Sequence, residues 1–108
     1  MEIYCKNKRL LQKAVEYSKK LGIHKDSATI HIKRLPPSFD QQGLIEVPRE
    51  LDDEIYMNIW VKFNEERYVS LAHEMIHARQ VLRGQPIDEH EAYLLEKTLD
   101  SDPHKRVY

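Results

Sequence analysis

The sequence predicts an α+β fold, a small antiparallel or mixed sheet of about three strands with one helix before it and two helices after it. Three observations predict this. Apolar residues recur at helical spacing over residues 7–21, two later stretches alternate apolar and polar side chains, and helical spacing returns from residue 64 onward. At 108 residues, 41% of them hydrophobic, the chain can bury one core and is too short for two, so residues 1–108 are expected to form a single domain.

The first helix is read from "NKRLLQKAVEYSKKL", which puts Leu10, Leu11, Ala14, Val15 and Leu21 on one stripe with lysines elsewhere. Gly22 is its expected stop, because glycine takes the left-handed conformation that closes helices. In "ATIHIKRL", Ile30 and Ile32 alternate with His31 and Lys33, and Pro36 and Pro37 end the strand. His31 reads as a surface or hydrogen-bonded histidine. "SFDQQG" is a loop, and "LIEV" before Pro48 is a short edge strand. In "EIYMNIWVKF", Ile55, Met57, Ile59, Val61 and Phe63 point one way, while Tyr56, Asn58, Trp60 and Lys62 point the other.

At Asn64 the period changes, with asparagine as an expected N-cap, Glu65 and Glu66 at the positive helix end, and Gly84 then Pro86 closing about five turns. Tyr68, Leu71, Ala72, Met75, Ile76 and Val81 or Leu82 spread around this helix, which implies burial on more than one side. The last helix begins near Asp88 with Ala92, Leu95 and Leu99 on one stripe, and "SDPHKRVY" follows as a polar tail.

Lys plus Arg total 17 against 18 for Asp plus Glu, and a net charge of -1 offers no electrostatic case for nucleic acid or for an anionic membrane. One cysteine, Cys5, excludes an intrachain disulfide, and no signal-peptide pattern or long apolar run appears, so a cytoplasmic location is expected.

The chemistry lies in "LAHEMIHARQ". Residues on a helix turn by about 100° each, so His73 and His77 stand one turn apart and both imidazoles can converge on one ion. Glu74 sits a step around the helix, where its carboxylate reaches a water held by that ion. Such a metal polarises a carbonyl and lowers the pKa of the water, while the glutamate accepts the proton and delivers it to the leaving amine. Chance alone produces this pattern with a probability of roughly 0.03 in a chain of this composition, and its position inside a capped, apolar-flanked helix lowers that further.

A catalytic zinc needs a third protein ligand and an open position. "IDEHEAY" offers Glu89, His90 and Glu91 on the next helix. Glu89 and Glu91 are about 200° apart, so one of them faces the metal. Asp88 and Glu91 have capping-box spacing, a structural task for Glu91 that leaves Glu89 as the ligand.

"HEMIH" followed by "EHEA" resembles the gluzincin metallopeptidases, in which a glutamate on a later helix is the third zinc ligand and a small residue, here Ala92, often follows it by three. The order of elements in so short a chain looks like the minigluzincins. The likeness runs from the first helix to Leu99, and its specific part spans residues 73–92. It implies a zinc-dependent endopeptidase with a peptide or protein substrate, Zn2+ held by His73, His77 and Glu89, and Glu74 driving a zinc-bound water onto the peptide bond. Strand 54–63, directly before the site helix, is the expected edge that holds an extended substrate. The resemblance also implies latency: residues 101–108 would block the open zinc position through His104 or the Tyr108 carboxylate, with Asp100 and Asp102 as weaker candidates. That block can act within one chain or in a homodimer or higher oligomer. One departure concerns the second ring nitrogen of a ligand histidine. Many gluzincins orient that ring with an aspartate four residues after the ligand glutamate, where this chain has Tyr93. A competing reading is a zinc-binding regulatory or interaction protein with little peptidase activity, against which Glu74 argues because a structural zinc needs no base.

Overall fold

A computed structural model of the chain describes residues 1–46, 49–51 and 53–100. The elements are β1 (Glu2–Cys5), α1 (Lys8–Lys20), β2 (Ala28–Arg34), β3 (Gly43–Ile45), β4 (Arg49–Leu51), β5 (Glu54–Val61), α2 (Arg67–Leu82) and α3 (Glu89–Leu99). The expected α+β class with a mixed sheet is what forms. Strand order is β1-β2-β5-β3, with β4 pairing further along β5. The first three strands of that order are parallel, and β3 and β4 run antiparallel to β5.

Two strands exceed the expected number, β1 and β4, and both are too short for a period of two to register. Each exists through a neighbour: β1 pairs residue by residue with β2 from Glu2↔Thr29 to Cys5↔Ile32, and β4 pairs with the start of β5.

β5 is central and is not the expected edge. Parallel pairing with β2 occupies one flank, from Ala28↔Ile55 to Arg34↔Val61, and β3 takes the other, from Gly43↔Val61 to Ile45↔Ile59. The edge beside α2 is therefore β3.

α1 begins as its sequence directs, with the Asn7 side chain accepting from the Leu10 N–H at 3.0 Å, and Gly22 follows it at φ 72°. Its buried stripe runs through Leu10, Ala14 and Tyr17, while Val15 faces solvent. α2 starts three residues after the expected cap. Asn64 makes a turn ahead of the helix, its Oδ1 accepting from Glu66 N–H and its carbonyl from Arg67 N–H. Gly84, at φ 67°, closes the far end as the Gln85 N–H reaches back to the Gln80 carbonyl at 2.9 Å.

α2 is packed against the sheet at β3 and β5 and is flanked by α1 and α3. That position explains why Leu71, Ala72, Met75, Ile76 and Ala78 are all fully buried. Facing them are Ile30 of β2 and Met57, Ile59 and Val61 of β5, one continuous core. Ile59→Ala in the central strand is expected to cost about 3 kcal/mol through lost transfer energy and a residual cavity. Urea unfolding measures this, and a change well under 1 kcal/mol would mean that the core is not packed as described. No helix among the described residues is long and apolar enough to cross a membrane.

Candidate metal centre

α2 presents His73 and His77 one turn apart, and their Nε2 atoms stand 3.2 Å from each other. The rings meet at 84°, so the two nitrogens point at a common place while the rings avoid stacking. The connection after Gly84 turns the chain back, and α3 begins with Glu89. One Glu89 carboxylate oxygen lies 3.4 Å from His73 Nε2, and the other touches His77 Nε2. The donor atoms of His73, His77 and Glu89 all fall within 4.8 Å of one another.

Hydrogen bonds around the pair determine what these nitrogens offer. Gln80 is fully buried, three residues after His77. Its Nε2 donates to the Asp88 carbonyl at 3.0 Å and to Glu91 Oε1 at 3.1 Å, while its Oε1 accepts from the Asp88 N–H at 3.0 Å. The amide can satisfy all three bonds in one orientation only. His77 Nδ1, 2.8 Å from that same Oε1, is then a donor, and in the neutral ring this tautomer puts the lone pair on Nε2, which faces the site. His73 repeats the arrangement with Glu96, whose carboxylate lies 2.7 Å from Nδ1. Two lone pairs and a carboxylate converge with their outer protons committed elsewhere, a set of acceptors that a cation relieves. The residues thus fit a divalent ion with nitrogen and oxygen donors.

Glu91 lies outside this cluster, and its expected capping box is half formed. Asp88 Oδ1 accepts from the Glu91 N–H at 3.1 Å, but the Asp88 N–H goes to Gln80 and not to the Glu91 side chain. Burial drives the exchange: an enclosed amide at Gln80 needs partners, and the start of α3 supplies them.

Glu74 is almost completely buried beneath β3. A Cβ on Gly43 would sit 3.0 Å from the Trp60 carbonyl and 3.2 Å from Glu74 Cγ, so glycine is what lets the edge strand close over this side chain. Burial raises the Glu74 pKa from its ordinary value to about 7; His77 opposes the rise, and Glu89 and Glu96 add to it. An acid whose folded pKa exceeds its unfolded one holds an extra proton between the two. The metal-free fold is therefore destabilised as pH climbs from about 4.5 to about 7, by something on the order of 3 kcal/mol. Metal-free Glu74→Gln is expected to melt higher than metal-free wild type above pH 7 and at the same temperature near pH 4. Thermal unfolding in chelator at both pH values measures it, and equal melting temperatures at high pH would contradict a carboxyl whose charge is disfavoured by burial.

A cleft of about 540 Å3 opens over these groups, walled by Leu44 and Ile45 of β3, Val69 of α2, and Glu89 and Tyr93 of α3. Asp100 lies at the other end of α3 from Glu89 and accepts a hydrogen bond from the buried Tyr17 hydroxyl. The remaining tail candidates, Asp102, His104 and Tyr108, lie outside the described residues.

All four expected site residues, His73, Glu74, His77 and Glu89, come together. Sequence reasoning missed Glu96, Gln80 and Gly43. For the first two a signal existed: Glu96 follows Glu89 by seven residues and Gln80 follows His73 by seven, two helical turns in each case and hence the same face. Gly43 had none, because its neighbours come from other elements. No family model, curated protein or solved structure matches this chain.

Proposed function

We propose that this chain is a zinc-dependent endopeptidase of the gluzincin type, held together by the ligand set His73, His77 and Glu89. Two neutral imidazoles and a carboxylate are a donor set that zinc favours, and three protein ligands leave a position for substrate. When bound, the ion polarises the scissile carbonyl and acidifies water. Glu74 takes a proton from the attacking water and returns it to the departing amide nitrogen. Its raised pKa in the metal-free fold suits a group that must both accept and release a proton near neutrality. Glu96 and Gln80 fix the two ring orientations, so the donors need not reorganise. An extended peptide lies along the free edge of β3 by backbone pairing, which brings its carbonyl over Glu74.

The observation that carries this reading is the convergence of both Nε2 atoms with Glu89, beside a buried carboxyl under an open cleft. Elemental analysis of the purified chain is expected to find one zinc, and an unfolded protein substrate is expected to be cut, with loss in chelator and recovery on adding zinc. A folded chain that takes up no zinc would end the proposal. Zinc uptake without cleavage would move the assignment to a zinc-binding regulatory protein.

A further inference from the structure

A second concavity, about 680 Å3, lies away from the cleft at the carboxyl ends of the parallel strands. β1 ends there at Cys5, β2 at Arg34 and β5 just before Phe63. In open sheets with parallel strands, ligands settle outside the carboxyl ends of those strands, and this volume is in the range of small-molecule sites. None of the residues lining it lines the metal cleft.

Its charge is one-sided. Lys6, Lys33 and Arg34 line the groove, and no carboxylate does. None of the three forms an ion pair among the described residues. Trp60 and Asn58 hold the Glu46 carboxylate, which feels Lys33 at longer range. α1 starts beside the groove with Lys8 and Arg9 and has no acid in its first turn. The overall charge of -1 conceals this segregation.

Flat rings accompany the cations. Tyr4 and His31 stack with centroids 5.0 Å apart, and the Arg34 guanidinium lies 5.4 Å from the Phe63 ring centre. We propose that the groove binds a free mononucleotide, with Lys6, Lys33 and Arg34 holding the phosphate and the Tyr4, His31 and Phe63 rings holding the base. Cations alone would suit any anion; cations beside the exposed Tyr4–His31 ring pair suit a phosphate that carries a flat heterocycle, which can extend that stack. A longer nucleic-acid strand fits less well. From the groove's rim onward the open sheet face presents carboxylates, Glu2 accepting from the Tyr4 hydroxyl at 2.7 Å and Glu54 from the Tyr56 hydroxyl at 3.1 Å, which repel a polyanion crossing it.

Cys5, the chain's one cysteine, lies in the groove and reports on its occupancy. The full chain is titrated with adenosine monophosphate, adenosine and inorganic phosphate by calorimetry, and alkylation of Cys5 by iodoacetamide is timed with each. One adenosine monophosphate is expected per chain, slowing alkylation, with adenosine and phosphate each binding at least about tenfold more weakly. In the Lys33→Gln, Arg34→Gln double variant the nucleotide affinity should fall by about tenfold or more, with unchanged circular dichroism because both side chains are exposed. Binding should persist in chelator, which separates this result from the zinc assignment. Unprotected Cys5, or equal affinity in the double variant, overturns the proposal; so does a single-stranded oligonucleotide that protects Cys5 when adenosine monophosphate does not.

Discussion

Glu74→Gln is expected to keep one zinc per chain and to lose about a thousandfold in hydrolytic rate, near 4 kcal/mol of barrier. Glutamine is close in size and keeps a polar tip beneath Gly43, so the edge strand has no reason to move. The amide cannot accept a proton from water, and that is the role proposed for Glu74. Zinc should be retained because the proposed donor atoms belong to His73, His77 and Glu89, and none of them bonds to Glu74. Measuring zinc content and turnover on the same sample makes the result decisive. Turnover within a few fold of wild type would remove Glu74 from the reaction, and lost zinc would give it a structural role instead.

The second large effect separates the acids of α3. Glu89→Ala is expected to empty the site, since it deletes one of three donors. Glu96→Gln should weaken zinc binding by about 10–100-fold, the usual cost of losing a group that orients a ligand histidine. Glu91→Ala should keep zinc, because its carboxylate meets Gln80 and Arg79 and lies outside the donor cluster. Competition against a chromophoric chelator ranks the three variants. Zinc lost from Glu91→Ala and kept in Glu89→Ala would invert the ligand assignment.

These variants also mark how far the chain could be read before its fold was known. Positions 73, 74 and 77 lie within one helix, where geometry repeats every 3.6 residues, so their relation followed from spacing alone. Glu89 was reachable because a short connection limited the choice, although the cap expected to occupy Glu91 formed only in half and its carboxylate meets Gln80 and Arg79 instead. Glu96 was harder: its face could be calculated, but its pairing with His73 depends on how α3 crosses α2. The expected edge strand failed for a related reason. Alternation along residues 54–63 shows which side chains face the core, and it is silent about which strands flank β5.

The sequence by itself determined the α+β class, the helix that carries the two histidines and their glutamate, and the glutamate helix that follows, because each depends on local periodicity and capping. Only the tertiary structure decided that β5 is central, that Gly43 admits an edge strand over Glu74, and that Glu96 and Gln80 hold the two rings. Those are contacts between elements distant in the chain, created when apolar faces are buried together, and no local pattern encodes the partner that burial selects.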